Sequence, residues 1–311
     1  MFELILKAIQ DHKTVIIHRH GRPDGDAMGS QIGLYNLIKE NYPDKAVYMV
    51  GDDPGFFGFM EGAKMDTVAD STYEGALAII LDSGSKHMIN DDRYTLAKTT
   101  ARIDHHIFCE KIADFEVIDT SFESCCGMIA AMAEECGWKL NPLAAKSLYT
   151  GMVTDSGRFR YDGTTARTFH LASLLMAQGF DTNALFKDLY ADDFASKKLK
   201  ASFILKIQFS PKNVAFIYTT KEEFDALGLD TFTVSRGMTN TMADIKGVDI
   251  WVNFTESEKG VLCELRSNKY NINPIAVKYG GGGHAKASGA TVPDRATAMA
   301  MLQDLDDMMG E

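Results

Sequence analysis

The sequence predicts an α/β protein, with an N-terminal domain built on a parallel sheet carrying helices on both faces and a smaller α/β domain after it. Three observations carry this prediction. The runs Val15-Ile16-Ile17 and Ala76-Leu77-Ala78-Ile79-Ile80-Leu81 are apolar without alternation, as strands covered on both faces are. Helical periodicities fall between such runs, which is the order that parallel crossover connections require. At 311 residues the chain exceeds what one hydrophobic core usually organises, which points to two domains.

Phe2, Leu4, Ile5, Ala8 and Ile9 fall near helical spacing, and 14–18 follows as a buried strand. From Ala27, the positions Met28, Ile32, Leu34, Leu37 and Ile38 read as a helix that Asn41-Tyr42-Pro43 ends. Further strands are predicted at 46–50, 76–81, 99–103 and 115–118. Helical patterns follow at 127–136, 142–153, 165–178 and 182–190. The charged amphipathic pattern at 195–207, with Lys197, Lys198 and Lys200, reads as a connector between domains or as an ordinary surface helix. The expected division is a catalytic domain at 1–190, a helical connector at 191–210 and a second domain at 211–311. That last part has strand patterns at 214–218, 248–254 and 261–265, helical patterns at 236–245 and 294–309, and the densest glycine run of the chain, Tyr279-Gly280-Gly281-Gly282-Gly283-His284.

Hydrophobic residues make up 45% of the chain and charged ones 24%, enough apolar surface for a large core. The net charge of -11 argues against a broad basic surface that grips long nucleic acid. A small anionic ligand is still served by cationic groups or metals gathered in one cleft. The five cysteines have neither C-x-x-C spacing nor an even count, so no disulfide framework or zinc ribbon is implied. The N-terminal stretch has charges inside its apolar pattern and no signal-peptide core, and no stretch is apolar enough to span a bilayer. A reduced, cytoplasmic protein without a membrane partner is the expectation.

The candidate chemistry lies where strands end. After the strand at 14–18 comes His20-Gly21-Arg22-Pro23-Asp24-Gly25-Asp26. Two carboxylates flanking a glycine crowd together unless a cation neutralises them. A histidine beside them suits a divalent ion such as Mn²⁺. A solvated turn with a helix-capping aspartate would look the same. Asp82, then Asp104 and His105, then Asp155 also stand at ends of predicted strands or helices. In an open parallel sheet those ends face one crevice. Such a set can hold two ions about 3.5–4 Å apart, the arrangement that clamps a transferring phosphoryl group, and Asp82 is placed by chain order to bridge them. The chemistry implied is phosphoester hydrolysis. Neither the G-x-S-x-G turn nor the G-x-x-x-x-G-K-[ST] loop is present, which removes serine hydrolases and P-loop NTPases.

In this order, His20-x-x-Pro23-Asp24-x-Asp26, Asp82, Asp104-His105-His106 and Gly151-x-x-Thr154-Asp155-x-Gly157-Arg158-Phe159 resemble the four motifs of the DHH phosphoesterase superfamily. Gly280 to Gly289, with Leu265-Arg266-Ser267, resembles the accompanying DHHA1 domain. The arrangement is similar, over nearly the whole chain, to bacterial nano-RNases that are also 3'-phosphoadenosine-5'-phosphate (pAp) phosphatases. The resemblance implies two Mn²⁺ ions, one held by His20, Asp24 and Asp82, the other by Asp26, Asp82, His105 and Asp155. It implies that a bridging hydroxide attacks phosphorus, that His106 faces the substrate phosphate and that Asp104 orients the ligands. His106 as a mere packing neighbour of His105 is the other reading.

Backbone N–H groups of Gly281, Gly282 and Gly283, with Arg266, Ser267, His284 and Ser288, are then expected to hold a second or terminal phosphate. A flexible loop beside a strand-end arginine is the alternative. Implied substrates are short oligoribonucleotides or pAp, with cyclic or linear di-adenylate, polyphosphate or pyrophosphate as other members of the superfamily use them. A nucleotide-binding regulator without hydrolysis is the reading from another class. A homodimer is among the states the resemblance implies. Two departures stand out: Asp82-Ser83-Gly84-Ser85 replaces the expected Asp-Thr, and Phe122-Glu123-Ser124-Cys125-Cys126 replaces a serine- and threonine-rich turn. Cys125 and Cys126 read as small buried residues rather than reactive thiols.

Overall fold

The computed structural model describes residues 1–310 and divides into two compact units, Met1–Tyr190 and Ala191–Glu311. The first contains α1 (Glu3–Asp11), β1 (Thr14–His18), α2 (Gly25–Asn41), β2 (Ala46–Met49), β3 (Leu77–Leu81), β4 (Thr99–Asp104) and β5 (Phe115–Ile118). It continues with α3 (Cys125–Glu135), α4 (Pro142–Asp155), α5 (Ala166–Met176) and α6 (Thr182–Tyr190). The strands form one parallel sheet in the order β2-β1-β3-β4-β5. The order reverses between β1 and β3, which opens a crevice beyond their carboxyl ends.

β3 is buried along its whole length, which explains its unbroken apolar sequence. Leu77, Ile79 and Leu81 face the α-helices, in a core shared with Ile5, Leu34, Met128 and Leu148. Ala78 and Ile80 face the other way, toward Tyr94 on the 3₁₀ turn Asp92–Leu96. Ile16 of β1 meets Tyr73 on the 3₁₀ turn Asp70–Tyr73 on that side. Helices therefore cover both faces, α on one and short 3₁₀ on the other. Each fully buried Ile or Leu contributes about 1.5–3 kcal/mol to this arrangement.

The position of α2 against α4 matters most for the site. Gly25, Gly29 and Gly33 recur every fourth residue and so share one face of α2. A methyl on Gly29 would stand 2.5 Å from the Ser147 carbonyl, and methyls on Gly25 and Gly33 would overlap Thr154 and Leu148 of α4. The two backbones thus approach as closely as glycine allows. Asp26 at the start of α2 and Asp155 at the end of α4 are brought to one place by that contact.

The second unit contains α7 (Phe194–Ile204), β6 (Gln208–Phe209), β7 (Ala215–Thr219), α8 (Lys221–Leu227), α9 (Thr231–Val234), α10 (Arg236–Thr239) and β8 (Ile250–Ser257). β9 (Gly260–Ser267), α11 (Asn273–Lys278), β10 (Gly282–His284), β11 (Ala287–Val292) and α12 (Arg295–Met308) complete it. Its sheet runs β10-β11-β9-β8-β7-β6, with β7 and β8 parallel and the other pairs antiparallel. One face packs on Ala276, Met301 and Leu305 of α11 and α12. The other packs on Phe203, Val234 and Met238, so α7, in the stretch read as a connector, belongs to this unit's core.

Three elements depart from the sequence expectation. The helix predicted over 236–245 is broken into α10 and a 3₁₀ turn, preceded by α9. Its Gly, Thr and Asn residues are poor helix formers, and the hydroxyls and amide compete for backbone partners. α8 was not predicted, although Thr220 and Glu223 form a capping box and Gly228 ends it with φ 60°. The glycine run is the strand β10 of a hairpin with β11, rather than an open loop. Among the described residues no helix is long and apolar enough to cross a membrane.

Substituting Gly29→Ala is expected to lower stability by about 1–3 kcal/mol, because backbone rather than a flexible side chain must yield. Gly58→Ala, where the nearest atom would be Pro54 Cγ at 3.7 Å, is the control and should leave the urea midpoint unchanged.

Candidate metal centre

His20 follows β1, Asp24 and Asp26 open α2, Asp82 follows β3, Asp104 ends β4 with His105 and His106 after it, and Asp155 ends α4. The fold brings all eight together within the first unit. His20 Nε2 lies 3.7 Å from Asp24 Oδ1 and 3.6 Å from Asp82 Oδ2. His105 Nε2 lies 3.8 Å from Asp26 Oδ2, 3.6 Å from Asp82 Oδ1 and 3.4 Å from Asp155 Oδ2. These separations are too long for good hydrogen bonds. Two donors each about 2.1 Å from one ion stand about 3.0–3.5 Å apart, which is close to what is seen.

Two further observations fit a metal. Asp82 Oδ1 is buried and has no hydrogen-bond partner among the described residues, a costly condition unless a cation meets it. The His20 Nδ1 is 2.9 Å from the Gly21 carbonyl, to which it donates, leaving Nε2 with a free lone pair. Asp82 belongs to one group with His20 and Asp24, and its other oxygen lies beside the group of Asp26, His105 and Asp155. Asp82 itself has φ 49°, a left-handed conformation that aspartate tolerates at modest cost and that turns its carboxylate back over the sheet edge.

Each ligand has its own support. Asp24 Oδ1 accepts from Asp26 N and Ala27 N at 3.0 Å each, so it caps α2 as well as facing His20. The capping reading of that turn holds, and it leaves the carboxylate facing His20. Asp26 accepts from Cys125 N at 2.7 Å and Cys126 N at 2.9 Å, which places the amino end of α3 on its carboxylate. His106 Nδ1 donates to Asp104 Oδ1 at 2.7 Å, and the buried Arg102 guanidinium pairs with Asp104 Oδ2. With Nδ1 occupied, His106 presents Nε2 outward, and its side chain is 38% exposed, more than any other histidine or carboxylate of the centre but Asp24. Arg19, fully buried, bonds Gln31, Asp52 and the His20 carbonyl and so fixes the loop from behind.

Like charges in a small volume dominate the protonation. Burial and then Asp82 and Asp155 push the Asp26 carboxyl well above its usual range. Burial raises Asp155 to about 7, against the pull of His105. Burial opposes ionisation of Asp82 too, but His105 and His20 outweigh it and hold that carboxyl low. The imidazoles answer in kind: burial lowers both, yet Asp24 and Asp82 lift His20 to about 11, and Asp82 with Asp26 lifts His105 to about 10. His106 is raised chiefly by Asp104. Without a metal, protonated histidines are the cations that hold the carboxylates together.

The residues expected to bind phosphate in the second unit are treated unequally by the fold. His284, Ala287 and Arg266 pair directly across β10, β11 and β9, so the imidazole and the guanidinium share one face in one lateral row. His284 is exposed. Arg266 Nη2 lies 3.2 Å from Glu264 Oε2 and its Nη1 donates to the Leu265 carbonyl. Ser267 and Ser288 are buried and engaged elsewhere. The Ser267 hydroxyl donates to the Asp249 carbonyl and accepts from Tyr270 N, and Ser288 Oγ donates to the His284 carbonyl. Gly281 N–H bonds the Ala276 carbonyl and Gly280 N–H the Val277 carbonyl, ending α11. The expected backbone nest is thus not open at Gly281. A methyl there would overlap the Gly289 carbonyl, which makes tight hairpin packing the reason for glycine, with Gly282 and Gly283 continuing as strand.

Sequence reasoning missed Arg102, although its spacing of two from Asp104 on a strand places both on one face. It also missed the α3 amides that hold Asp26, a contact across about a hundred residues that no local pattern encodes.

Residues 14–152 match the DHH family, N-terminal domain, and residues 230–311 match the DHHA1 domain. The chain is 34% identical over 310 residues to the bifunctional oligoribonuclease and PAP phosphatase NrnA of Bacillus subtilis, covering 99% of this chain and 98% of that protein. It is likewise 34% identical to the probable bifunctional oligoribonuclease and PAP phosphatase NrnA of Streptococcus mutans, with 99% of each covered. The crystal structure of an exopolyphosphatase-related protein from Bacteroides fragilis shares the fold, with a TM-score of 0.88 at 24% identity over 100% of this chain and 97% of that one.

Metal loading at neutral pH should release protons, because His20 and His105, at about 11 and about 10, are protonated before an ion arrives and must be neutral to bind it. At least two protons per loaded protein are expected from calorimetric titration with Mn²⁺ in buffers of different ionisation heat, since Asp155, raised to about 7, and Asp26, raised well above its usual range, add to the two histidines, and the affinity should rise with pH.

Proposed function

The chain belongs to the DHH family of phosphoesterases and carries a DHHA1 domain, and from that premise we propose that it hydrolyses short oligoribonucleotides and pAp. The observation that carries the reading is Asp82, buried between two histidines with an oxygen left without a partner, at the centre of a set of carboxylates. The near-complete overlap with relatives named for both activities supports the choice of substrate. A binding protein without hydrolysis would have no use for so crowded a cluster, which costs stability when no metal is held.

In this reading His20, Asp24 and Asp82 hold one divalent ion, and Asp26, Asp82, His105 and Asp155 hold the other. The mix of imidazole and carboxylate suits Mn²⁺. When bound, the ions supply a water of lowered pKa and neutralise charge on the phosphoryl oxygens. The protein's own groups do the rest. Asp26 is held by the α3 amides and Asp155 by the α2–α4 contact, so the donors keep their spacing while substrate comes and goes. His106, whose charged form is favoured because Asp104 accepts from its Nδ1, turns Nε2 to a phosphate oxygen and donates to it when protonated. Burial opposes ionisation of Asp104, but His106 and then Arg102 hold its carboxyl below the usual range, and Arg102 keeps it in place. In the second unit, Arg266 and His284 are the groups we assign to a further substrate phosphate, and Ser267 and Ser288 support the strands that carry them.

A product time course with Mn²⁺, comparing labelled RNA of two to several nucleotides, pAp and cyclic di-adenylate, tests the assignment. Mononucleotide released fastest from the shortest RNA, with pAp also dephosphorylated, is the expected result; a strong preference for cyclic di-adenylate would replace the substrate and keep the centre. His106→Ala should lower kcat by about 10²–10³-fold with bound Mn²⁺, measured by elemental analysis, unchanged.

A further inference from the structure

After Asp155 the chain turns through Gly157, Arg158 and Phe159, with φ of 57°, 64° and 61°. Three left-handed residues in succession, two of them bearing side chains, form a turn that an unconstrained chain avoids, and such turns persist only where their surroundings hold them. Ser156 does so. Its carbonyl accepts from Arg160 N and Tyr161 N at 3.0 Å each, and its hydroxyl accepts from Phe159 N at 2.9 Å. The Tyr161 carbonyl accepts from Thr164 N at 3.0 Å, so both backbone groups of Tyr161 are fixed.

The outcome of the turn is the placement of one ring. A methyl on Gly157 would stand within 2.7 Å of Tyr161 Cε1, Cζ and Cε2 at once. Only a point above the ring plane is that near to all three, since a point in the plane beyond Cζ falls on the phenol oxygen. The ring therefore lies face-on against the Gly157 backbone, and glycine is needed there for its φ and for its missing methyl. Yet Tyr161 is 62% exposed, so the opposite face is open to solvent. A ring with one face pinned to backbone and the other bare is a stacking surface for a nucleobase. Beside it in sequence, the Arg158 guanidinium sits 5.3 Å from the centre of the Tyr190 ring, a cation on an aromatic as in single-strand binding grooves. Gly157 is two residues from Asp155, at most about 8 Å of chain, which is within reach of one nucleotide whose phosphate is at the metal centre.

We propose that Tyr161 is a nucleobase platform: it stacks on the base of the nucleotide whose phosphoester lies at Asp155 and selects nucleotides over phosphoesters that lack a base. This rests on the nucleotide-hydrolase reading above. Arg158 and Tyr190 border the platform, and the strained turn exists to hold the ring at a fixed distance from the carboxylate.

The test compares the full-length, Mn²⁺-loaded protein on pAp and on ribose 3,5-bisphosphate, which has the same phosphates and no base. Tyr161→Ala is expected to raise KM for pAp about 10- to 100-fold with kcat little changed, and to leave the base-free substrate unaffected. Tyr161→Trp should keep KM low. A KM for pAp within about twofold of wild type, or equal losses on both substrates, overturns the proposal. If the wild type cleaves neither compound, the hydrolase reading fails instead. Calorimetric binding of AMP and ribose 5-phosphate to wild type and Tyr161→Ala then decides on the platform alone, with loss of the preference for AMP in the variant supporting it and an unchanged preference refuting it.

Discussion

Electrostatic repulsion among Asp24, Asp26, Asp82 and Asp155 is the constraint around which the first unit is built. Four carboxylates drawn from two helices and a strand end repel one another, and two of them, Asp26 and Asp82, are buried away from water. The fold meets this with interactions of different kinds. The α3 amides take up the Asp26 charge, Asp24 bonds the first turn of α2, and Asp82 has histidines on both sides. The close contact of α2 with α4, made by Gly25, Gly29 and Gly33, fixes the separation that repulsion would otherwise widen.

The surrounding layer is as ordered as the ligands. Arg102 and Asp104 are both buried and paired, and together they settle which nitrogen of His106 carries a proton to the outside. Arg19 with Gln31 and Asp52 does the same for the backbone on which His20 is carried. Removing one member of such a buried pair leaves the other uncompensated, so these residues tolerate change no better than the donors do. The second unit has a looser logic. Its glycines serve the close packing of a hairpin and the end of α11, and His284 and Arg266 reach one face by strand register.

What could be read in the sequence followed the range of the interactions. β1 and β3 are legible because burial on both faces leaves an unbroken apolar run, β4 and β5 are shorter mixed patterns beside them, and the residues after β1, β3 and β4 are legible because a sheet edge is where such strands deliver polar groups. The set His20, Asp24, Asp26, Asp82, His105, Asp155 follows from its places at the ends of strands and helices, with its division between two ions implied by resemblance, and the fold gathers it. The amides on Asp26 and the pairing of β10 with β11 were not legible, since one is a contact between distant segments and the other replaces a loop by a strand too rich in glycine to look like one. Ser267 and Ser288 show the same limit, since the backbone partners that their hydroxyls take in the fold are not encoded in any local pattern. The helix over 236–245 failed because apolar spacing was followed while propensity was not.

Cys125 and Cys126 show what the carboxylate cluster does to its neighbours. Their backbone N–H groups hold Asp26, and their thiols lie buried beside it, with Cys126 against the α2–α4 contact. Burial, and then the nearby carboxylates, push both thiols well above the ordinary range. A thiol kept protonated is a poor ligand for soft ions and a poor target for oxidants. Sulfur at the edge of this centre is thereby rendered chemically quiet, and the choice of ion is left to oxygen and imidazole.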